Sequence, residues 1–122
     1  MTAKINLAEK FEHVPDPWVP KVVGALNGQL VKIARAEGAY VWHRHEGEDE
    51  LFLVLEGRLA IHLRTEVVEL AAGECFIVPR GVEHKPVAEP GTRLLLFEPA
   101  STRNTGDLDH AYTIEPDALE RI

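Results

Sequence analysis

Short runs of strand-forming residues follow one another at regular intervals between residues 50 and 99. The runs are ELFLVLE, RLAIHLR, EVVEL, ECFIVP, HKPVA and TRLLLFEP, and Gly57 and the sequences AAG, RG and EPG stand between them. In RLAIHLR the apolar residues Leu59, Ile61 and Leu63 alternate with others, which is the period of a strand with one buried face. Many short strands with regular turn signals are typical of a β-sandwich or β-barrel. The pattern therefore predicts an all-β fold.

The segment before residue 50 adds an arm and a hairpin to this pattern. FEHVPDPWVP carries three prolines in six residues, which excludes a regular helix or a central strand and predicts an extended arm. VVGALNGQLVKIARA places two apolar runs around Asn27-Gly28, a pair suited to a type I′ hairpin turn. We expect Glu37-Gly38 to end the second strand and AYVWHRH to form the next one. Short helices are predicted only at INLAEKF and EPDALERI.

Length and composition limit the class of protein. A chain of 122 residues that is 45% hydrophobic and 27% charged fits one globular domain, with an arm (1–20), a barrel (about 21–98) and a tail (about 99–122). The net charge of −7 argues against nucleic acid or an anionic membrane as a partner, because both attract basic surfaces. No apolar stretch is long enough to span a membrane, and MTAKINLAEK lacks the apolar core of a signal peptide. Cys75 has no second cysteine with which to form a disulfide, so we expect a cytoplasmic protein.

Three histidines and a glutamate are spaced as a metal site would need them. Side chains alternate along a strand, so we expect His43 and His45 to point to one face about 7 Å apart. Glu50 opens the next strand and reaches the same site if the two strands pair. His84 follows the turn Pro79–Gly81 at the mouth of a later strand. Three imidazoles and one carboxylate suit a divalent transition-metal ion.

The spacing of these residues resembles that of the cupins. Their first motif runs G-x5-H-x-H-x(3,4)-E-x6-G, and the chain matches it at both histidines, at Glu50 and at Gly57. The leading glycine, Gly38, lies one position closer to the first histidine than the motif asks. The second motif runs G-x5-P-x-G-x2-H-x3-N, and the chain matches it at Gly73, Pro79, Gly81 and His84. Ala88 replaces the closing asparagine, which removes a polar group but no metal ligand.

This resemblance implies a single-domain jelly-roll β-barrel that holds one metal ion on His43, His45, Glu50 and His84. Four protein ligands on an ion that prefers six leave two adjacent positions, enough for a bidentate oxygen ligand or for a substrate and dioxygen. Imidazole-rich sites admit iron, nickel, copper and zinc, and the carboxylate lets manganese compete. The resemblance further implies a small metal-dependent enzyme of the oxygenase, isomerase or decarboxylase type, acting on a small organic acid or a sugar-like substrate. The alternative is a non-catalytic binding module or sensor that captures its small-molecule ligand through the metal.

Four further residues are candidates for the wall of the pocket. Phe52 and Val54 share the direction of Glu50 along their strand and are expected to line it. Tyr40 is a candidate hydrogen-bond donor near the metal, although its strand parity differs from that of the first histidine. His62 alternates away from its apolar neighbours and faces either the pocket or solvent, and an ordinary sheet histidine is the simpler interpretation. No residue stands out as a proton shuttle.

The remaining expectations concern the outside of the barrel. The strands at Leu51–Leu55 and Leu94–Phe97 are apolar on both faces, so each needs a cover outside the barrel. The N-terminal arm, a second sheet or another subunit could provide it, and we expect a symmetric homodimer. Trp18 and Trp42 are expected to pack between the arm and the barrel exterior, and Cys75 to be a small buried hydrophobe. The polar segment FEPASTRNTGD is expected to cap a turn, to lie across the barrel mouth or to anchor a dimer contact.

Overall fold

The strand-forming runs become seven β-strands in the computed structural model, which describes residues 3–122. A short helix α1 (Leu7–Phe11) precedes them, and a single 3-10 turn (Pro116–Ala118) lies near the C-terminus. Within these residues, none of the helices is long and apolar enough to cross a membrane. The strands are β1 (Lys21–Leu26), β2 (Gln29–Ala39), β3 (Glu50–Glu56), β4 (Arg58–Leu63), β5 (Val67–Ala71), β6 (Cys75–Val78) and β7 (His84–Pro99).

The two terminal helix predictions have different outcomes. At the N-terminus, Asn6 caps α1 because its side-chain oxygen accepts a hydrogen bond from the backbone N–H of Glu9 at 3.1 Å. At the C-terminus, EPDALERI is wrong as a helix beyond its 3-10 turn. The chain there is extended, and Arg121 forms an isolated bridge with Val22. Backbone hydrogen bonds to β1 therefore take the place of helical ones.

The predicted hairpin joins β1 and β2. Both turn residues have positive φ, 51° at Asn27 and 78° at Gly28, which is the requirement of a type I′ turn. The antiparallel register then pairs Leu26 with Gln29, directly beside the turn. The sequence prediction of a tight hairpin is confirmed.

Two predicted strand ends are wrong because the chain passes through them without leaving the sheet. Strand β2 continues through Glu37-Gly38, where a register shift between Ala36 and Gly38 marks a bulge and Gly38 has φ 72°. HKPVA and TRLLLFEP are one strand, β7, which runs through the predicted turn Glu89–Gly91. These three residues are exposed and lie where β7 changes partners, and a proline is tolerated at such a position.

Strand β7 pairs with three other strands, β2, β3 and β4. On one side it pairs antiparallel with β2 along both of its halves, and on the other side its first half pairs with β4 and its second half with β3. The sheet order is β1-β2-β7-β3-β6, and β4 and β5 branch from β7. The interior is filled by fully buried side chains such as Val54, Leu59, Ile61 and Leu94. This is the predicted single-domain β-barrel of jelly-roll type.

The N-terminal arm closes part of the outer surface. Phe11 and Val14 pack with Val23 and Ile33 in a second apolar cluster, and Arg35 donates hydrogen bonds to the carbonyls of the two arm residues. The burial of these apolar side chains stabilises the arm against the barrel.

The two tryptophans are placed differently from each other. Trp18 lies in the main core, which contradicts the prediction of an exterior position, and its indole N–H donates to the Glu37 carbonyl at 2.9 Å. Trp42 is on the outside, where the Arg64 guanidinium stacks 3.7 Å from its ring centroid and the Lys85 ammonium lies at 5.6 Å.

The outer face of the sheet carries the apolar residues that were predicted to pack against a further element or subunit. Leu51 and Leu53 are half-buried, and Ile77 beside them is 56% exposed. Cys75 shares this outward face and is exposed, so its predicted burial is wrong. The alternation of the edge strand β6 turns Phe76 and Val78 inward instead.

Candidate metal centre

The fold brings together the four residues that the sequence singled out as ligands. The ligand atoms of His43, His45, Glu50 and His84 all lie within 4.8 Å of one another. All four residues are buried, with exposed fractions between 0% at His84 and 7% at His43. Imidazole and carboxylate groups are mostly exposed in proteins, so four of them converging in the interior of a barrel indicate a site rather than a surface cluster.

The backbone around the two neighbouring histidines differs from the expected strand. After Ala39, which ends β2, AYVWHRH is not a regular strand, and His43 and His84 form an isolated bridge with backbone hydrogen bonds of 3.0 and 2.9 Å. Glu50 arrives from β3, which pairs with β6 and β7, so it reaches the site without the pairing to the histidine segment on which the sequence argument depended. Gly81, in the turn of the second motif, donates its N–H to the carbonyl of His45 at 2.8 Å. The two motifs therefore hold each other through the backbone.

Backbone carbonyls orient two of the three imidazole rings. The Nδ1 atom of His43 lies 2.8 Å from the carbonyl oxygen of Val41, and that of His84 lies 2.9 Å from the carbonyl oxygen of Val82. A carbonyl only accepts hydrogen bonds, so Nδ1 carries the proton in each ring and Nε2 is left with a free lone pair. This is the tautomer that a metal-binding histidine adopts when a carbonyl orients it.

Several buried polar atoms at this point have no hydrogen-bond partner among residues 3–122. They are both ring nitrogens of His45, Nε2 of His84 and Oε1 of Glu50. The Nε2 atoms of His45 and His84 lie 3.3 and 3.4 Å from the same Glu50 oxygen. Buried polar atoms are nearly always paired, and unpaired ones call for an explanation such as an ion. A divalent cation coordinated by one ring nitrogen of His45, by Nε2 of His84 and by the Glu50 carboxylate would satisfy three of these four atoms, so the residues fit a metal.

The protonation states favour the same conclusion. Burial, together with the neighbouring His84, lowers the pKa of His43 to about 4, so its ring is neutral at neutral pH. For Glu50, burial alone would raise the pKa, but the neighbouring polar groups of Glu98, His45 and His84 outweigh it and hold the pKa well below its usual range. Neutral imidazole and ionised carboxylate are the forms that bind metal ions.

A cavity opens beside the four residues. It contains about 450 Å³ of empty space, part of which is open to solvent, and His43 and Glu50 form one of its walls. Apart from a few polar groups its lining is apolar or aromatic, which is usual for sites that bind small molecules. The other lining residues are Trp18, Pro20, Ala34, Tyr40, Phe52, Pro86, Leu94, Leu96, Glu98 and Asn104.

Two of the four predicted pocket residues line this cavity and two do not. Phe52 lies in its wall as expected, and so does Tyr40. Val54 points into the barrel like Phe52 but is fully buried in the core farther along β3, beyond the cavity. His62 lies on β4 opposite Val67 and Lys85, away from the cavity, because the inward positions of that strand belong to Leu59 and Ile61.

Tyr40 is closer to the site than its strand parity indicated, because its segment is not a strand. Its ring meets that of His43 edge-on at a centroid distance of 5.4 Å and stacks with Tyr112 at 5.3 Å. Its hydroxyl donates to the backbone carbonyl of Asn104 at 3.3 Å. Burial raises the pKa of Tyr40 above its usual value, so the hydroxyl remains protonated.

The polar segment after β7 lies across the mouth of the barrel. Asn104 lines the cavity, and its side-chain amide donates to the carbonyl of Tyr112 at 2.8 Å. Arg103 holds the loop by hydrogen bonds to Glu115 at 3.0 Å and to the carbonyl of Gly106 at 2.9 Å. Of the roles expected for this segment, turn capping and covering the mouth are both realised.

Sequence reasoning missed two charged residues next to the site, Lys32 and Glu98. Both are almost fully buried, and Glu98 lines the cavity. The signal was the alternation of the strands: Glu98 shares its parity with the inward residues Leu94 and Leu96. It was hidden because Leu94–Phe97 is apolar at every position, so parity could not be read within the run itself.

Comparison with known proteins gives consistent matches. The family described as Cupin domain matches residues 29–97. Uncharacterized protein YdbB of Bacillus subtilis is 38% identical over 86 residues, which make up 70% of this chain and 76% of that protein.

Two solved structures are similar over most of their length. The cupin-2 domain containing protein of Shewanella frigidimarina is 40% identical and superposes with a TM-score of 0.76, covering 78% of this chain and 93% of that one. Protein NMB1881 of Neisseria meningitidis is 28% identical with a TM-score of 0.73, covering 80% of this chain and 99% of that one.

Proposed function

The chain belongs to the cupin domain family, and from that premise we propose that it is a metal-binding protein whose metal serves a small-molecule site. The observation that carries this proposal is the convergence of four buried ligand atoms within 4.8 Å, several of them without any other partner. His43, His45, Glu50 and His84 would hold one divalent transition-metal ion, with iron, manganese, nickel, zinc and copper all compatible with this donor set.

We further propose that the protein is a small metal-dependent enzyme of the oxygenase, isomerase or decarboxylase type. A bound metal ion supplies Lewis acidity toward an oxygen atom of the substrate. The protein's own part is to bind and orient: carbonyls of Val41 and Val82 fix two ligand rings, and Glu50 supplies the one anionic ligand. The apolar walls, such as Phe52 and Leu96, exclude water from the space beside them.

The lining of the cavity supports a small organic acid or a sugar-like compound as substrate. A divalent ion with one carboxylate ligand and three neutral imidazoles keeps about one positive charge, which attracts an anionic or oxygen-rich group. The apolar and aromatic walls then accommodate a carbon skeleton. Asn104 and Tyr40 place polar groups at the edge of this space.

One observation favours a second candidate, a non-catalytic binding module or sensor. The hydroxyl of Tyr40 is already engaged with the carbonyl of Asn104, so this group is not free to transfer a proton. A site whose tyrosine hydroxyl is occupied in this way is suited to holding a ligand on the metal and against the apolar walls. This role shares the metal and the cavity with the first candidate and differs only in turnover.

A ligand screen distinguishes the two candidates. Protein loaded with each candidate metal is mixed with a panel of small organic acids and sugars, and both the melting temperature and product formation are measured. An enzyme should form product, and product formation should be lost with a chelator and in His45→Ala. A binding module should be stabilised by its ligand in the presence of metal and form no product. If His45→Ala gives the same stabilisation or turnover as the wild type, the metal plays no part and the proposal is wrong.

A further inference from the structure

The polar side chains in the wall of the cavity are already engaged, with one exception. His43 and Glu50 are proposed metal ligands. The indole N–H of Trp18 and the hydroxyl of Tyr40 each donate to a backbone carbonyl, at 2.9 and 3.3 Å. The side-chain amide of Asn104 donates to a backbone carbonyl at 2.8 Å and accepts from a backbone N–H at 2.9 Å. These groups therefore make their main hydrogen bonds within the protein.

The exception is Glu98, which lines the cavity from β7 and has an exposed fraction of 2%. Its Oε1 atom accepts a hydrogen bond from the Lys32 ammonium at 2.7 Å, but its Oε2 atom has no hydrogen-bond partner within residues 3–122. Lys32 reaches this carboxyl group from β2 and is not itself part of the cavity wall. The carboxyl group is thus held at one oxygen and free at the other.

The stability of the fold does not account for this buried pair. Moving ions out of water is unfavourable, and apolar replacements of a buried ion pair are often at least as stable. The neighbouring inward positions, such as Leu30, Ala34 and Leu96, are apolar. Buried polar atoms nearly always have a partner, and an unpaired one calls for an explanation. Because Glu98 lines a cavity, a bound ligand can supply the partner of its free oxygen.

The register of the sheet places Glu98 beside the proposed metal centre. Leu51 of β3 pairs with Phe97 of β7, so the adjoining residues Glu50 and Glu98 lie opposite each other on the two strands. The Cβ atoms of such cross-strand neighbours are about 5 Å apart. A small ligand that binds the metal through one oxygen can therefore reach Glu98 with a second group that is close to this oxygen on its skeleton.

A hydroxyl group is the partner that fits the free oxygen best. A hydroxyl both donates and accepts, so it can pair with this carboxyl group whether or not the carboxyl carries a proton. Lys32 already supplies the cation of the pair, so the ligand needs to bring a hydrogen bond and not a second positive charge. A methyl or methylene group at this point would leave the oxygen unpaired, which disfavours analogues that lack the hydroxyl.

Building on the proposed function, we propose that Glu98, anchored by Lys32, is a specificity-determining residue for the ligand of the cavity. It selects compounds that carry a hydroxyl group close to the oxygen that binds the metal. Hydroxy acids and sugars share this chemistry, whereas unsubstituted acids lack it.

The test compares pairs of compounds that differ by one hydroxyl group. Protein loaded with Co²⁺ is titrated with lactate and propionate, with 3-hydroxybutyrate and butyrate, and with ribose and 2-deoxyribose, and the dissociation constants are measured by calorimetry. The acid pairs and the sugar pair distinguish the two sources of the hydroxyl. We expect the hydroxylated member of at least one pair to bind about tenfold or more tightly than its partner.

A double variant separates the contribution of Glu98 from that of the metal, which can also bind a hydroxyl. In Lys32→Met with Glu98→Leu, both charged groups are replaced by apolar ones, which is expected to leave the protein folded. The preference for the hydroxylated compound should fall about tenfold. The matched control is Lys21→Met with Glu120→Leu, which removes a surface ion pair of 2.6 Å and should keep the preference of the wild type. A preference that survives unchanged in the Lys32 and Glu98 variant overturns the inference.

A crystal structure of the Co²⁺-loaded wild type with the tightest-binding hydroxylated compound tests the contact itself, whether or not the double variant folds. The hydroxyl oxygen of the compound should lie about 3 Å from Oε2 of Glu98. A hydroxyl group bound elsewhere, or no preference for a hydroxyl in any pair, would show that this inference is wrong while the metal site stands. A wild type that binds no Co²⁺ refutes the proposed function itself.

Discussion

Two imidazole rings of the site are held by the carbonyl of the residue two positions earlier in the chain. His43 and His84 both make this contact, through Val41 and Val82, and the backbones of the two histidines are themselves hydrogen-bonded. Each ring thus has one fixed tautomer before any ion arrives. Such preorganisation lowers the ordering cost of binding and favours affinity.

At the scale of single residues we predict different outcomes for two histidines. His84→Ala removes a fully buried ring with a free Nε2 atom, and it should lower metal affinity by about 100-fold or more. His62→Ala, the matched control, removes a partly exposed ring on β4 that is outside the cavity, and it should bind metal as the wild type does. Both are measured by chelator competition on folded protein. Equal affinities in the two variants would contradict the ligand assignment.

The sequence predicted the ligand residues better than the residues around them. His43, His45, Glu50 and His84 stand at motif positions, and motif spacing does not depend on knowing which residues are in strands. Tyr40 lines the cavity as predicted, but the strand-parity argument that placed it on the other face failed, and so did the residue-type argument for a buried Cys75. Tyr40 lies in an irregular segment and Cys75 on an edge strand, so neither environment follows from the local sequence.

At the scale of elements, β7 is where sequence reasoning departs most from the structure. A proline and a glycine in EPG predicted a turn, yet the strand continues because it changes partners there and leaves the proline exposed. A long strand that changes neighbours along its length is specified by tertiary pairing, which local turn signals do not encode. The short strands with simple turns, such as the β1–β2 hairpin, were predicted correctly because their turn residues need positive φ.

The outer face of β3, β6 and β7 supports the homodimer expected from the sequence, and we propose that a second copy covers it. Ile77, on the edge strand β6, is 56% exposed and lies opposite the half-buried Leu51. A charge at Ile77 would enter a two-fold interface twice, so Ile77→Glu should convert dimer to monomer. Val67→Glu, at an exposed residue of β5, is the control and should stay dimeric. Sedimentation velocity measures both, and a monomeric wild type would contradict the proposal.

At the scale of the whole molecule, the barrel brings ligands together that are up to 41 positions apart in the sequence, from His43 to His84. Three parts of the fold meet there: the irregular histidine segment, the start of β3 and the start of β7. The fold class followed from the strand pattern and the family from the motifs. The buried ion pair between Lys32 and Glu98 and the loop over the mouth did not, because they depend on which strands become neighbours.

The metal content of the purified wild-type protein tests the central claim most directly. The protein is produced without a metal-affinity tag, dialysed, and analysed for transition metals beside His84→Ala at equal concentration. With three imidazoles and one carboxylate converging in its interior, the wild type should retain about one transition-metal ion per chain, and the variant far less. A wild type that holds no more metal than His84→Ala, and gains none on incubation with each candidate ion, would contradict the account.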